Sequence, residues 1–480
     1  MLKRYYLLIL FVINTGFLGA LPVVINGESA AGDAFVFRLY VQKDAFSGLE
    51  YIADQQRPDV DGRFMLGFEA QEIQEVSIKV GFQSLSFFVI PGHTYNLKFN
   101  DIVIDGQNVF LPQHPLHVVF QQEDMLNVVM DGFDYDYQKF LEENFLKLVK
   151  YRDKKIYQEF VAKLKLKLAE TPLKDSLSRK YFEDYIYYKK AELRLAANLE
   201  KKDHIGMEVL ANQPMLLNNP AYTDFFKKYF VNYLIEYNDG VDYDRLLRLI
   251  NIGLPINTLL DVLGKDPVLV QEKLRETVLL LSLKQVFYHK DFNPYSINDI
   301  FLYMADNSKF VSVRLMAENL NDILNRFDKG REVPYFELPD LNAHKKAITD
   351  YHGKKLYLMF VSPECETCEL DIEIMKTVKE EFPNDLDVVC VLVDFDKEKA
   401  EKWAKKQDAN WDFLWFNDDY KMLSSYQVKT FPKYMMLDEK ARLFNYYPPK
   451  PRGRLISYMK AICEKENIER EDSKDLFRKN

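Results

Sequence analysis

Two cysteines three positions apart, Cys365 and Cys368, stand between the unbroken apolar run Leu356–Val361 and a stretch of helical periodicity. This arrangement constrains the C-terminal part of the chain more than any other feature. A continuous apolar run of this length reads as a strand covered on both faces, so the first cysteine falls at a strand-to-helix corner. Unpaired N–H groups and the positive end of the macrodipole at a helix start favour a thiolate there. A second thiol one turn further on is placed to attack a mixed disulfide formed on the first. The pattern predicts Cys365 as an exposed nucleophile and Cys368 as a buried resolving thiol.

Half of a zinc site has the same local pattern, but zinc needs four ligands. Cys390 lies among Val388, Val389, Val391 and Leu392, and Cys463 lies in the last predicted helix, so both read as core residues. His114 and His117 have no acidic or cysteine partner nearby and read as a loop pair. No metal site is expected. All four cysteines lie beyond residue 364, so the rest of the chain folds without a disulfide and the Cys365–Cys368 pair reads as working thiols.

A chain of 480 residues exceeds one ordinary domain. Its net charge of -9 argues against a nucleic-acid partner, which needs clustered Lys and Arg. Lys3 and Arg4, the apolar run Tyr5–Val12 and the small residues of Gly16–Ala20 read as a cleaved secretory signal over residues 1–20. The alternative is a retained N-terminal anchor, reached by extending the apolar stretch through Val24. Residues 25–120 alternate as short strands with turns at Asp61-Gly62 and Pro91-Gly92, which predicts an all-β sandwich. Residues 123–329 carry helical periodicity, with one stripe of Leu141, Phe145, Leu148, Val149 and Ile156 and another of Val313, Met316, Leu320, Ile323 and Phe327. This predicts an all-α middle domain of seven to ten helices. A polar linker, Asp328–Pro334, leads into residues 331–480, where strands alternate with helices as in an α/β fold.

Several motifs of this last part occur in order: Val333-Pro-Tyr-Phe-Glu-Leu-Pro-Asp340, Gly353-Lys354, Phe360, the cysteine pair, Tyr426-Gln-Val-Lys-Thr-Phe-Pro432 and Leu437-Asp438. Over about Arg331 to Glu466 they resemble the thioredoxin superfamily, and within it the TlpA/ResA-like branch of bacterial envelope thiol–disulfide oxidoreductases. The resemblance implies a thioredoxin fold that reduces or exchanges disulfides of envelope proteins, in the periplasm or cell envelope. It implies no cofactor beyond the cysteine pair, and an electron donor that the sequence does not name. Pro432 matches the cis-proline of the fold, facing the cysteines, with the Phe431 backbone free to pair with substrate. Asp371 falls where the branch carries an acid that modulates thiol ionisation. The stretch from Asp61-Gly-Arg-Phe64 to Pro91-Gly-His-Thr-Tyr95 resembles the small β-sandwich ahead of such domains in Bacteroidetes envelope proteins.

Glu364 replaces the usual Trp, Thr367 the usual Pro, and Met359 the buried Asp of ordinary thioredoxins, which puts proton handling at Cys368 in question. Glu364, Glu366, Glu369 and Asp371 crowd the helix start, oppose a thiolate at Cys365 and predict a pair that leans reductant. Two other functions are compatible with parts of the chain. A peroxiredoxin-like peroxidase would use Ser362 upstream of Cys365, but Leu358 occupies the position such sites give to proline. A binding or scaffold protein would place recognition in the β and helical parts.

Overall fold

The computed structural model describes residues 19–33, 35–81, 83–102, 114–121, 124–235, 243–252, 255–394 and 396–478. The expected signal segment lies outside them apart from Gly19 and Ala20. No described helix is long and apolar enough to cross a membrane. Three parts follow in the expected order: a β-sandwich, a helical middle and a C-terminal α/β domain.

The sandwich holds β1 (Leu21–Ser29), β2 (Phe37–Gln42), β3 (Glu50–Gln56), β4 (Arg63–Ala70), β5 (Gln74–Val80), β6 (Gln83–Val89), β7 (Thr94–Asp101), β8 (His114–Pro115) and β9 (His117–Phe120). One sheet runs β4-β1-β7-β9 and the other β3-β2-β5-β6-β8. The first strand begins at Leu21, four residues ahead of the expected start. The Leu21–Val24 stretch that would lengthen an anchor is instead strand, with Val23 and Ile25 in the sandwich core. At the turn before β4, Gly62 has φ +79 and an added Cβ would stand 2.3 Å from the Ser29 carbonyl oxygen, so glycine is required there.

The middle is built from α1 (Met125–Tyr151), α2 (Lys154–Ala169), α3 (Ser176–Ala196), α4 (Lys202–Val209), α5 (Pro220–Tyr229), α6 (Tyr243–Ile252), α7 (Ile256–Leu263), α8 (Glu272–Val286), α9 (Pro294–Asn307) and α10 (Val311–Asn325). The Asn-Pro pairs that punctuate this region are helix starts: Asn219 and Asn293 cap α5 and α9, with proline as the first helical residue. The first apolar stripe is divided, because the chain turns at Arg152 (φ 53) and Ile156 belongs to the next helix. Phe145 is exposed rather than part of the stripe.

The helices do not close a core of their own. Phe46, Ile73 and Ile90 from the sandwich belong to the same buried cluster as the helical residues. The Asn127 amide, at the start of α1, accepts from the Phe88 N–H and donates to the Phe88 carbonyl, both at 2.8 Å, and so pairs with the backbone of β6 as a neighbouring strand would.

The expected linker is also pinned. Gly330 N–H donates to the Leu443 carbonyl at 2.6 Å, Leu443 N–H donates to the Arg331 carbonyl at 2.7 Å, and the Phe327 ring stacks on Tyr446 at 4.0 Å.

The C-terminal domain contains β10 (Glu337–Pro339), β11 (Lys345–Ala347), β12 (Lys355–Val361), α11 (Glu366–Glu381), β13 (Leu386–Leu392), α12 (Lys397–Lys406), β14 (Asp412–Trp415), α13 (Tyr420–Ser425), β15 (Lys433–Leu437), β16 (Leu443–Asn445) and α14 (Leu455–Arg478). Its five-stranded sheet runs β14-β13-β12-β15-β16, with β12 parallel to β13 and antiparallel to β15. Every residue of β12 is buried, as its apolar run required. Burial pushes the Cys390 thiol from 9.0 up to about 12, and raises the Tyr357, Tyr426 and Tyr434 hydroxyls above their ordinary 10.0. The unfolded chain therefore loses these protons first. Stability is expected to fall as pH rises from 9 towards 12, read as a declining denaturation midpoint across that window.

Candidate active site

β12 delivers the chain into the loop Ser362-Pro363-Glu364, and α11 opens at its end. Cys365 is the N-cap of α11, and its sulfur accepts from the Cys368 N–H at 3.1 Å, the role usually filled by a Ser or Asp oxygen. Cys365 N–H in turn donates to the Ser362 carbonyl at 3.0 Å, which closes the loop. Cys365 and Cys368 are joined by a disulfide, with Cα atoms 5.2 Å apart.

The expectation of an exposed Cys365 does not hold in this conformation. Cys365 is 1% exposed and Cys368 0% exposed, and both belong to the apolar core together with Phe431. An attacking thiolate needs this covering to move before it reaches the sulfur.

The peptide bond Phe431–Pro432 is cis. Lys433 pairs with Phe360 in the β12–β15 register, so Pro432 stands beside the end of β12 that feeds the cysteine loop. The Phe431 backbone makes no hydrogen bond among the described residues.

The carboxylates at the helix start are not the unopposed cluster that their order in sequence implies. Glu364 is ion-paired with Lys399, and Glu369 lies 3.8 Å from Lys406; both cations come from α12. The bond to Glu364 raises the Lys399 amine above its ordinary range. Asp371 is fully buried and bonded to Tyr434 and Arg452. Glu366 alone of the four is exposed with no counter-ion among the described residues. Lys399 and Arg452 stand 35 and 81 positions from their carboxylates, and no local pattern announces them.

Met359 is sealed in β12 beside Cys390, so the central strand supplies no acid, and the buried carboxylate on the cysteine helix is Asp371. Leu358 is likewise buried within β12. His117 lies on β9, and among the described residues no group of three or more His, Cys, Asp or Glu is placed to hold a metal.

A strand–cysteine–helix corner beside a cis-proline, on a mixed sheet of this order, defines a thioredoxin-like domain of the thiol–disulfide oxidoreductase kind. Residues 329–445 match the AhpC/TSA family. The chain is 25% identical over 142 residues to the thiol–disulfide oxidoreductase ResA of Geobacillus kaustophilus, covering 29% of this chain and 74% of that protein. It is 23% identical over 116 residues to ResA of Bacillus subtilis, covering 24% of this chain and 64% of that protein. Among solved structures, the thioredoxin domain of a thiol–disulfide oxidoreductase from Bacteroides vulgatus aligns at 18% identity and a TM-score of 0.26, over 28% of this chain and 96% of that one. A thiol–disulfide oxidoreductase from Bacteroides fragilis aligns at 19% identity and a TM-score of 0.25, over 28% of this chain and 99% of that one.

Proposed function

We propose that the chain reduces or exchanges disulfides of proteins in the bacterial cell envelope, using Cys365 and Cys368 with no further cofactor. The carrying observation is the pair at the N-terminus of α11, beside cis Pro432 and a Phe431 backbone that makes no hydrogen bond among the described residues. In the reduced form the Cys365 thiolate attacks a substrate disulfide, forms a mixed disulfide and expels one substrate thiolate. The Cys368 thiolate then attacks the Cys365 sulfur, closes the intramolecular disulfide and releases the second substrate thiolate. Two electrons pass to the substrate, and a donor dithiol must restore them. Phe431 and Pro432 hold the substrate strand. Export rests on the N-terminal sequence, with Lys3 and Arg4 ahead of the apolar run Tyr5–Val12.

The test is equilibration of the full chain in dithiothreitol or glutathione buffers with counting of free thiols, alongside reduction of insulin disulfides. A reversible two-electron couple together with insulin reduction is the expected result. A pair that never opens in strong reductant, or one that opens without reducing any protein disulfide, would overturn the reading.

A further inference from the structure

Asp371 is sealed from solvent on α11, one helical turn beyond Cys368. Side chains three apart on a helix are neighbours, with Cβ atoms about 5–6 Å apart, so the charge on Asp371 is felt at the Cys368 sulfur. A lone buried carboxylate there would repel a thiolate.

Two side chains from outside α11 bind it. The Tyr434 hydroxyl, on β15, donates to Asp371 Oδ2. Arg452 donates from Nε to Oδ1 at 2.6 Å and from Nη2 to Oδ2 at 3.4 Å. Arg452 belongs to the proline-rich loop 446–454 between β16 and α14, and the Tyr357 hydroxyl on β12 ties that loop down by donating to the Pro449 carbonyl at 2.8 Å. The other titratable groups nearby are Cys365 and Cys368 on α11, Tyr357 on β12 and Tyr434 on β15. Both tyrosines are raised above their ordinary range, chiefly by burial, and are neutral at physiological pH. Glu366 and Glu369, also on α11, are exposed to solvent. Among the described residues, Arg452 is the one cation that pairs with Asp371.

We infer that Arg452 is a positioning residue for the exchange reaction: it holds Asp371 as a neutralised carboxylate beside Cys368 and so leaves the resolving thiol free to ionise. This rests on the exchange activity proposed above. The resolving step requires Cys368 to lose its proton before its sulfur bonds to Cys365 and the electron pair departs with the substrate sulfur. An uncompensated negative charge one turn away works against that ionisation. The Arg452 side chain keeps 37% exposure, so solvent screens part of its effect.

The test follows the Cys368 thiolate by its ultraviolet absorbance from pH 6 to 10 in Cys365→Ser full-length protein, taken as the difference from Cys365→Ser/Cys368→Ser. Arg452→Met is expected to move the midpoint alkaline by about one pH unit, a roughly tenfold lower thiolate population at a pH below it. Arg452→Lys should retain most of the original midpoint. In an Asp371→Asn background, Arg452→Met should no longer move it alkaline. An unchanged midpoint in folded Arg452→Met, or an equal alkaline shift in the Asp371→Asn background, overturns the inference. If Arg452→Met does not fold, Asp371→Asn alone decides. It leaves the arginine charge unbalanced and should move the midpoint acid, and an alkaline or absent shift sinks the idea. Insulin reduction by the unsubstituted protein is measured in parallel. Its absence removes the exchange activity while leaving the titration comparison intact.

Discussion

Cys365→Ser is expected to reduce insulin disulfide reduction to background, a loss on the order of a thousandfold or more, because the sulfur that bonds to substrate is gone. Cys368→Ser should lose turnover to a similar extent by a different route. Its Cys365 still attacks, but nothing one turn along the helix displaces the substrate, so a mixed disulfide accumulates and is visible by non-reducing electrophoresis and mass. The two variants therefore separate attack from resolution. Equal and unimpaired reduction by both would remove the pair from the chemistry. Accumulation of the mixed disulfide on Cys368 instead would reverse the assigned roles. That second outcome is physically open to test because the two residues are almost equally buried, at 1% and 0% exposure.

The second large effect concerns stability. Phe226 on α5 is fully buried, with ring centroids 5.0 Å from Phe46 of the sandwich and 4.9 Å from Phe230. Phe226→Ala is expected to cost about 3–5 kcal/mol, the usual penalty for emptying an aromatic site in a core. Phe46 is presented by Asp44, whose Oδ1 accepts from the Phe46 and Ser47 N–H groups; from the helical side Lys284 donates to the Phe46 carbonyl and Asn319 to Asp44 Oδ2. The loss should therefore loosen the sandwich and the helices together. The C-terminal domain has a separate core, and all three tryptophans (Trp403, Trp411 and Trp415) lie in it. In urea, the far-ultraviolet circular dichroism midpoint should fall while the tryptophan fluorescence midpoint stays in place. A common shift of both would mean that the three parts unfold as one unit, coupled through contacts such as Arg38 with the Asp418 carbonyl and Gly330 with Leu443.

Local pattern was a good guide wherever one element decides the outcome. The apolar run of β12 and the helical period after it placed the cysteine corner, because a strand covered on both faces and a helix each write their period into consecutive residues. Alternation over residues 25–120 marked the sandwich for the same reason. Pattern failed where the deciding partner is distant. Phe145 has the right spacing for an apolar stripe and faces solvent, since only packing tells which face of a helix is covered.

The charges around the site divide in the same way. The sequence alone determined that four carboxylates stand near the start of α11, and that Cys365 and Cys368 share one turn. Only the tertiary structure decided what those charges amount to, because Lys399, Lys406, Tyr434 and Arg452 arrive from other elements. It also decided that Cys365 is covered and that the sandwich and helices share a core. Hydrogen bonding and burial act through space over a few ångströms, whatever the separation along the chain, and no periodicity records them.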